Sequence, residues 1–259
     1  MAVVNRTPDS FYDRGSTFGF DAAVRAVDTA VSRGADIVDI GGVRAGYGPA
    51  VDAVEEARRT VGLIEEVRRR HPTVVVSVDT WRAEVADLCA RAGADLINDT
   101  WAGADPDLAR VAADHGAGLV CSHTGGLAPR TDPHRPEYTD VVADVVDTVC
   151  RLAERAVDLG VAPERILVDP THDFGKNTYH SLELTRRLRE LTDTGWPVLV
   201  AVSNKDFIGE TLDAPVGERL AGTLAVLAVS AWQGARVFRV HDAAAARDAL
   251  DRVGVLAGR

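Results

Sequence analysis

Eight short apolar segments recur along the chain, and a helix-forming stretch follows each one. The segments are Ala2–Val4, Asp36–Ile40, Val74–Val78, Asp95–Ile97, Gly118–Cys121, Arg165–Val168, Val198–Val202 and Arg236–Val240. Runs of this kind suit parallel strands covered on both faces. The predicted helices are Asp21–Arg33, Asp52–Arg70, Arg82–Ala92, Pro106–His115, Thr139–Gly160, Ser181–Thr192, Glu218–Gln233 and Asp242–Val253. Eight strand–helix units in 259 residues fit an α/β fold of one kind, a single (β/α)8 TIM barrel. An open doubly wound sheet usually stops at about five or six strands. No linker or composition break interrupts the pattern, so one domain spans residues 1–259. Gly-Ala pairs at 34–35, 93–94, 116–117 and 234–235 read as helix stops with glycine in the left-handed cap, not as binding features.

The charge balance narrows the function. A net charge of −10 argues against a nucleic-acid partner, which demands a basic face. It leaves room for a phosphorylated small ligand held by a few cations at one mouth. Cys89, Cys121 and Cys150 are odd in number and lack CxxC spacing, which suits free thiols in a reducing cytoplasm. No basic-then-apolar leader precedes the first strand, and no apolar run approaches the ~18 residues of a membrane span.

In a barrel, polar groups at the C-terminal strand ends share one mouth. Here the tips supply Asn5, Asp39, Asp79, Asn98, Ser122-His123, Asp169, Ser203 to Lys205, and Arg239 with His241. A tip Asp or Asn can instead cap the following helix, and Asp99 reads that way. The whole set, with acids, amides, Lys, Arg and His, is too mixed to be caps alone. Its amides and carboxylates suit the edge of a heterocycle, and its cations suit an anion. Arg239 and His241, two apart on the last strand, form an anion clamp. Lys205 and Lys176 are the only two lysines; a lysine where arginine is the default points to a need for a compact ammonium. Gly175-Lys176 lacks the first glycine of a P-loop, and GGVRAGYG is not a dinucleotide fingerprint. The histidines lack zinc spacing.

These tips carry a specific resemblance. NRTPDSF (5–11), DIGG (39–42), VSVDT (76–80), LIND (96–99), DP…FGK (169–176), VSNKDFIG (202–209), ERLAGTLA (218–225) and RVHD (239–242) resemble the motifs of the dihydropteroate synthases, of the pterin-binding barrel superfamily, in that family's order. The resemblance implies a transferase of folate biosynthesis. It would condense a dihydropterin pyrophosphate with 4-aminobenzoate, an arylamine acceptor, and release pyrophosphate with help from Mg²⁺. Asp169, Asn98 and Lys205 would hydrogen-bond the pterin edge, with Phe174 and Ser203 also binding substrate. Asp79 would stabilise positive charge developing on the ring. Asn5 would help hold Mg²⁺, a hard cation that prefers oxygen. Arg239 and His241 would bind the departing pyrophosphate, and Asp13 in the first loop would assist in the reactive complex. A homodimer through the late helices is implied as well.

Departures from the family pattern gather on one side. GGVRAGYGP stands where the family continues Gly-Gly-Glu-Ser-Thr-Arg-Pro, with Arg44 a shifted substitute for the arginine. Thr171-His172-Asp173 replaces a small Gly-x-Gly, Asn204 replaces the arginine of Ser-Arg-Lys, and Ser122-His123-Thr124 replaces Met-His-Met. Beside Asp173 the acceptor's carboxylate would be repelled unless His172 or Arg44 offsets it. Three readings follow: a working dihydropteroate synthase; a divergent paralogue that binds a pterin or related anion but lacks that reaction or uses another acceptor; and a non-catalytic partner of a true synthase in mixed dimers.

Overall fold

A computed structural model describes residues 1–8, 15–46, 48–131 and 137–258. Strands β1 (Ala2–Asn5), β2 (Ile37–Gly41), β3 (Val75–Asp79), β4 (Leu96–Asp99), β5 (Gly118–Ser122) and β6 (Ile166–Asp169) pair in parallel and in sequence order. β7 (Leu199–Val200) and β8 (Val237–Phe238) pair in the same sense. Bridges Val168↔Val198 and Ala2↔Val240 join β6 to β7 and β8 to β1, so the ring closes as an eight-stranded barrel.

β7 and β8 are shorter than the apolar pattern predicts. Pro197 has no N–H to donate, so it enters the ladder only as an acceptor, from Val168 at 3.0 Å. The carbonyl of Val198 receives both Arg236 N–H (2.9 Å) and Val237 N–H (3.1 Å), which delays regular pairing on β8.

The principal helices are α1 (Phe20–Ser32), α2 (Ala53–Arg70), α3 (Ala83–Arg91), α4 (Leu108–Asp114), α5 (Val141–Asp158), α6 (Thr178–Arg186), α7 (Leu188–Thr192), α8 (Asp206–Leu212), α9 (Leu220–Trp232) and α10 (Ala243–Leu256). α6 and α7 divide the single helix expected over 181–192, and α8 follows directly from the β7 tip. Asp52, Asp140 and Asp242 cap α2, α5 and α10 through backbone N–H groups. The Gly-Ala stops are left-handed caps: Gly34, for example, has φ 88°, and Ala35 N–H reaches back to Ala30 O at 3.0 Å.

Strand alternation divides the residues by face. Val38, Ile40, Val76, Val78, Ile97, Val168 and Val200 pack outward among the helices in the main core. Leu96, Val120, Leu199 and Ala201 form a separate cluster, with Met1, Leu167 and Val237 packed on it. Two residues beyond Leu96, Leu167, Ala201 and Val237, the same inward face turns polar at Asn98, Asp169, Ser203 and Arg239, which line the cavity.

Candidate active site

A cavity of about 460 Å³ opens at the C-terminal end of the barrel. Asn5, Asp79, Asn98, Asp169, Phe174, Ser203, Lys205, Arg239 and His241 all line it. Asp13 lies outside the described residues. Thr7, Arg44, Thr100, Trp101, Thr131, Thr171, Asp173 and Asn204 complete much of the wall.

The floor is built around Arg239. Its Nε donates to Asp39 Oδ2 (2.6 Å) and its Nη2 to Asp79 Oδ2 (2.9 Å). Asp39 is fully buried and also accepts from Ser77 Oγ (2.5 Å) and Asn98 Nδ2 (3.3 Å). Asp79 accepts from Thr100 Oγ1 at 3.0 Å. One guanidinium thus spans two carboxylates, a forked geometry that lysine cannot supply. Burial pulls the Arg239 pKa down, but Asp39 and Asp79 outweigh it and the result lies above the ordinary value. Burial pushes the Asp79 carboxyl up to about 7, against the pull of Arg239 and Thr100. The loop residue Thr100 and its neighbour Trp101 went unnoticed in the sequence; an aromatic beside a strand tip was the available signal. Trp101 meets the Phe174 ring edge-on at 5.6 Å.

Asp169 is buried beside this cluster and holds Thr171 N–H at 2.7 Å. Burial raises its pKa, while Lys205 and the Thr171 N–H oppose the rise. The Lys205 ammonium stands 4.7 Å from the Phe174 ring centroid, a cation–π contact, and donates to the carbonyl of His172. Burial lowers its pKa, and Asp173, Asp169 and Asp206 oppose that shift. Just beyond β8, His241 N–H donates to Ser203 Oγ (3.3 Å), whose hydroxyl also meets His241 Nδ1 (2.9 Å).

Other predicted tips turn elsewhere. Ser122 donates to Asp99 O, and His123 Nε2 meets Asp144 Oδ1 at 2.7 Å; neither lines the cavity. Burial pushes His123 down to about 4, which keeps its ring neutral. Asp99 caps its own turn through Trp101 N–H (2.9 Å) and Gly103 N–H (2.6 Å), as expected. Lys176 is buried away from the cavity and donates to three carbonyls, those of His123 (2.9 Å), Phe174 (2.9 Å) and Thr171 (3.1 Å). The compact ammonium is used, but as a brace for the strand-tip loops.

The opposite wall has a different character. Thr171, Asp173 and Asn204 all have positive φ, at 53°, 68° and 58°. Glycine adopts that conformation freely; a β-branched threonine pays for it in steric strain of roughly 1–2 kcal/mol. Thr171 is anchored by Oγ1, which donates to Asp169 O (2.9 Å) and accepts His123 N–H (3.1 Å). Asp173 accepts from Ser181 Oγ (2.9 Å) and from Phe207 N–H (3.2 Å). His172 cannot offset its charge: burial lowers the His172 pKa well below the usual value, and the ring stacks on Phe207 at 5.5 Å. Across the cavity, Arg130 from the β5 loop donates to Pro49 O (2.9 Å) and Gly46 O (3.3 Å), tying that loop to the Arg44 loop.

A closed eight-stranded barrel whose strand tips offer an Asp–Asn–Lys floor is a pterin-binding architecture. The pterin binding enzyme family matches residues 1–241, and the chain belongs to that family. It is 56% identical over 262 residues to the inactive dihydropteroate synthase 2 of Mycobacterium leprae, covering 100% of this chain and 90% of that protein. To the dihydropteroate synthase of Escherichia coli K12 it is 37% identical over 243 residues, 93% of this chain and 86% of the relative. The crystal structure of Yersinia pestis dihydropteroate synthase with a sulfonamide drug superposes with a TM-score of 0.94 at 34% identity, covering 100% of this chain and 93% of that one. The divergent-paralogue resemblance read from the motifs is therefore sound at the level of family and fold.

Proposed function

We propose that this chain binds a reduced pterin on the cavity floor and does not join it to 4-aminobenzoate. The observation that carries the reading is the wall: Thr171, Asp173 and Asn204 line the cavity from left-handed backbone positions, and Asp173 brings a carboxylate to that wall. The 56% identity to a relative named an inactive synthase supports it.

On the floor, Asp169 and Asn98 would accept from and donate to the pterin edge, and Lys205 would donate to its ring acceptors. In a synthase reaction the methylene C–O bond breaks, pyrophosphate leaves with the bonding electrons, and the amine nitrogen attacks and then loses a proton. Ionised Asp79 would stabilise the positive charge this places on the pterin. Arg239, together with His241, would face the leaving group. Asn5 lines the cavity with its amide oxygen near Gly41 and Asp79, a hard-donor setting that fits Mg²⁺ ligated mainly by phosphate and water. Bound Mg²⁺ would neutralise phosphate charge.

The intact floor favours a second reading, a synthase working with its altered wall. Exposed apolar residues on the late helices, Leu220, Val229 and Trp232 of α9 with Val255 and Leu256 of α10, support a homodimer through that face. Buried free cysteines, with Cys89 and Cys121 pushed up to about 12 by burial, are inert thiols that suit the cytoplasm. Among the described residues no helix is long and apolar enough to cross a membrane. Calorimetric titration with a dihydropterin should give a saturable heat that Asp169→Asn removes; no heat with the unaltered chain overturns the reading.

A further inference from the structure

The cavity wall singles out one residue as the determinant of what a second ligand must be. Among the described residues four acidic ones line the cavity, Asp79, Asp169, Asp173 and Asp206, against three permanent cations, Arg44, Lys205 and Arg239. Arg239 is already spanned between Asp79 and the fully buried Asp39. Lys205, the cation nearest this wall, is shared by Asp169, Asp173 and Asp206, with Asp173 the strongest of the three. Asp206 has a partner of its own in Arg219 Nη1 at 2.8 Å. Lys176 lies outside the cavity lining, its amine enclosed by three carbonyls, and burial lowers its pKa well below the usual lysine value.

Asp173 is therefore the carboxylate that tips the lining, and it is held there firmly. Ser181 Oγ and Phe207 N–H fix its two oxygens, so it does not rotate away from a ligand. At positive φ its side chain projects from a backbone position that a glycine would leave bare. His172 does not relieve it, since its buried ring stacks on Phe207. Charges a few ångströms apart near a protein surface interact by several kcal/mol, far more than the same charges in water.

We infer that Asp173 makes the Lys205 side of the cavity select an uncharged or cationic amine as the second ligand and reject one that carries a carboxylate. The inference rests on the pterin reading for the identity of the first ligand, but the charge preference of the wall is independent of it. An anionic arylamine would have to bind across the cavity, on the Arg44 side.

The test is a binding series on the intact chain with 4-aminobenzoate, 4-aminobenzamide and 4-aminobenzamidine, which share one shape and differ in charge. Each is titrated with and without saturating dihydropterin. The amide and amidine should bind at least about tenfold tighter than the carboxylate, a difference of about 1.4 kcal/mol. Asp173→Asn, which keeps the size and the tolerance for positive φ, should collapse that ratio toward one. Thr171→Gly, which changes the same loop without changing charge, should leave the ratio intact. Tighter binding of the carboxylate, or an unchanged ratio in Asp173→Asn, overturns the inference. Absence of dihydropterin binding in the first arm strikes the pterin reading instead, because the amine series without pterin still reads the charge preference directly.

Discussion

The floor and the wall of this cavity are made by different means. The floor uses inward positions of regular strands: Asp79 and Asn98 on β3 and β4, Asp169 on β6, and Arg239 just beyond β8. Asp39 and Asp79 share Arg239 there, which lies 200 and 160 residues away in sequence. The wall uses loop residues in a backbone conformation that glycine favours, Thr171, Asp173 and Asn204 among its lining. A ligand floor of this kind is difficult to alter without unfolding the barrel. A loop wall can change while the barrel stays intact, which is where a family member can abandon one acceptor.

The contrast breaks most severely at Arg239. Arg239→Ala leaves Asp39 buried without its counter-charge, and removing one partner of a buried pair costs about 3–5 kcal/mol. Thermal unfolding should register a large drop in midpoint; a drop no greater than that of a wall variant would erase the distinction. Lys205→Ala separates binding from folding. It should weaken dihydropterin binding by roughly 2–3 kcal/mol, the worth of hydrogen bonds to a charged group, with little change in unfolding midpoint. Unchanged affinity would remove Lys205 from the floor.

A smaller effect follows from Asp79. Its folded pKa, about 7, lies above the unfolded value near 4. The folded chain therefore holds this proton more tightly, and the stability it contributes is full at low pH and lost as pH rises from about 4 to about 7. Ligand stabilisation by ionised Asp79 runs the other way, present above about 7 and fading below it. Dihydropterin affinity measured from pH 5 to 9 should rise through neutrality, and Asp79→Asn should flatten the curve; a flat curve in the unaltered chain would contradict this charge state.

The eight repeating units and the shared mouth were legible because apolar runs of strand length are a local signal. Period two on the last strand placed Arg239 and His241 in one cavity. The pairing of Arg239 with Asp39 was not legible, since ring closure sets it and no local pattern encodes it. The rarity of lysine pointed to two ammonium groups with specific work, but not to which atoms they meet: Lys205 faces the cavity, and Lys176 serves three main-chain carbonyls. The left-handed turns at Thr171 and Asp173 were hidden because no glycine marks them, and only the family's Gly-x-Gly hinted at their shape. The break between α6 and α7, at Arg187, carries no glycine or proline.

The central claim, a retained pterin floor beneath a wall that no longer accepts 4-aminobenzoate, is tested by one sample taken through two additions. A dihydropterin pyrophosphate is titrated calorimetrically in the presence of Mg²⁺, 4-aminobenzoate is then added, and dihydropteroate is assayed. Saturable binding followed by no dihydropteroate is the result predicted here; dihydropteroate formed with turnover would contradict it.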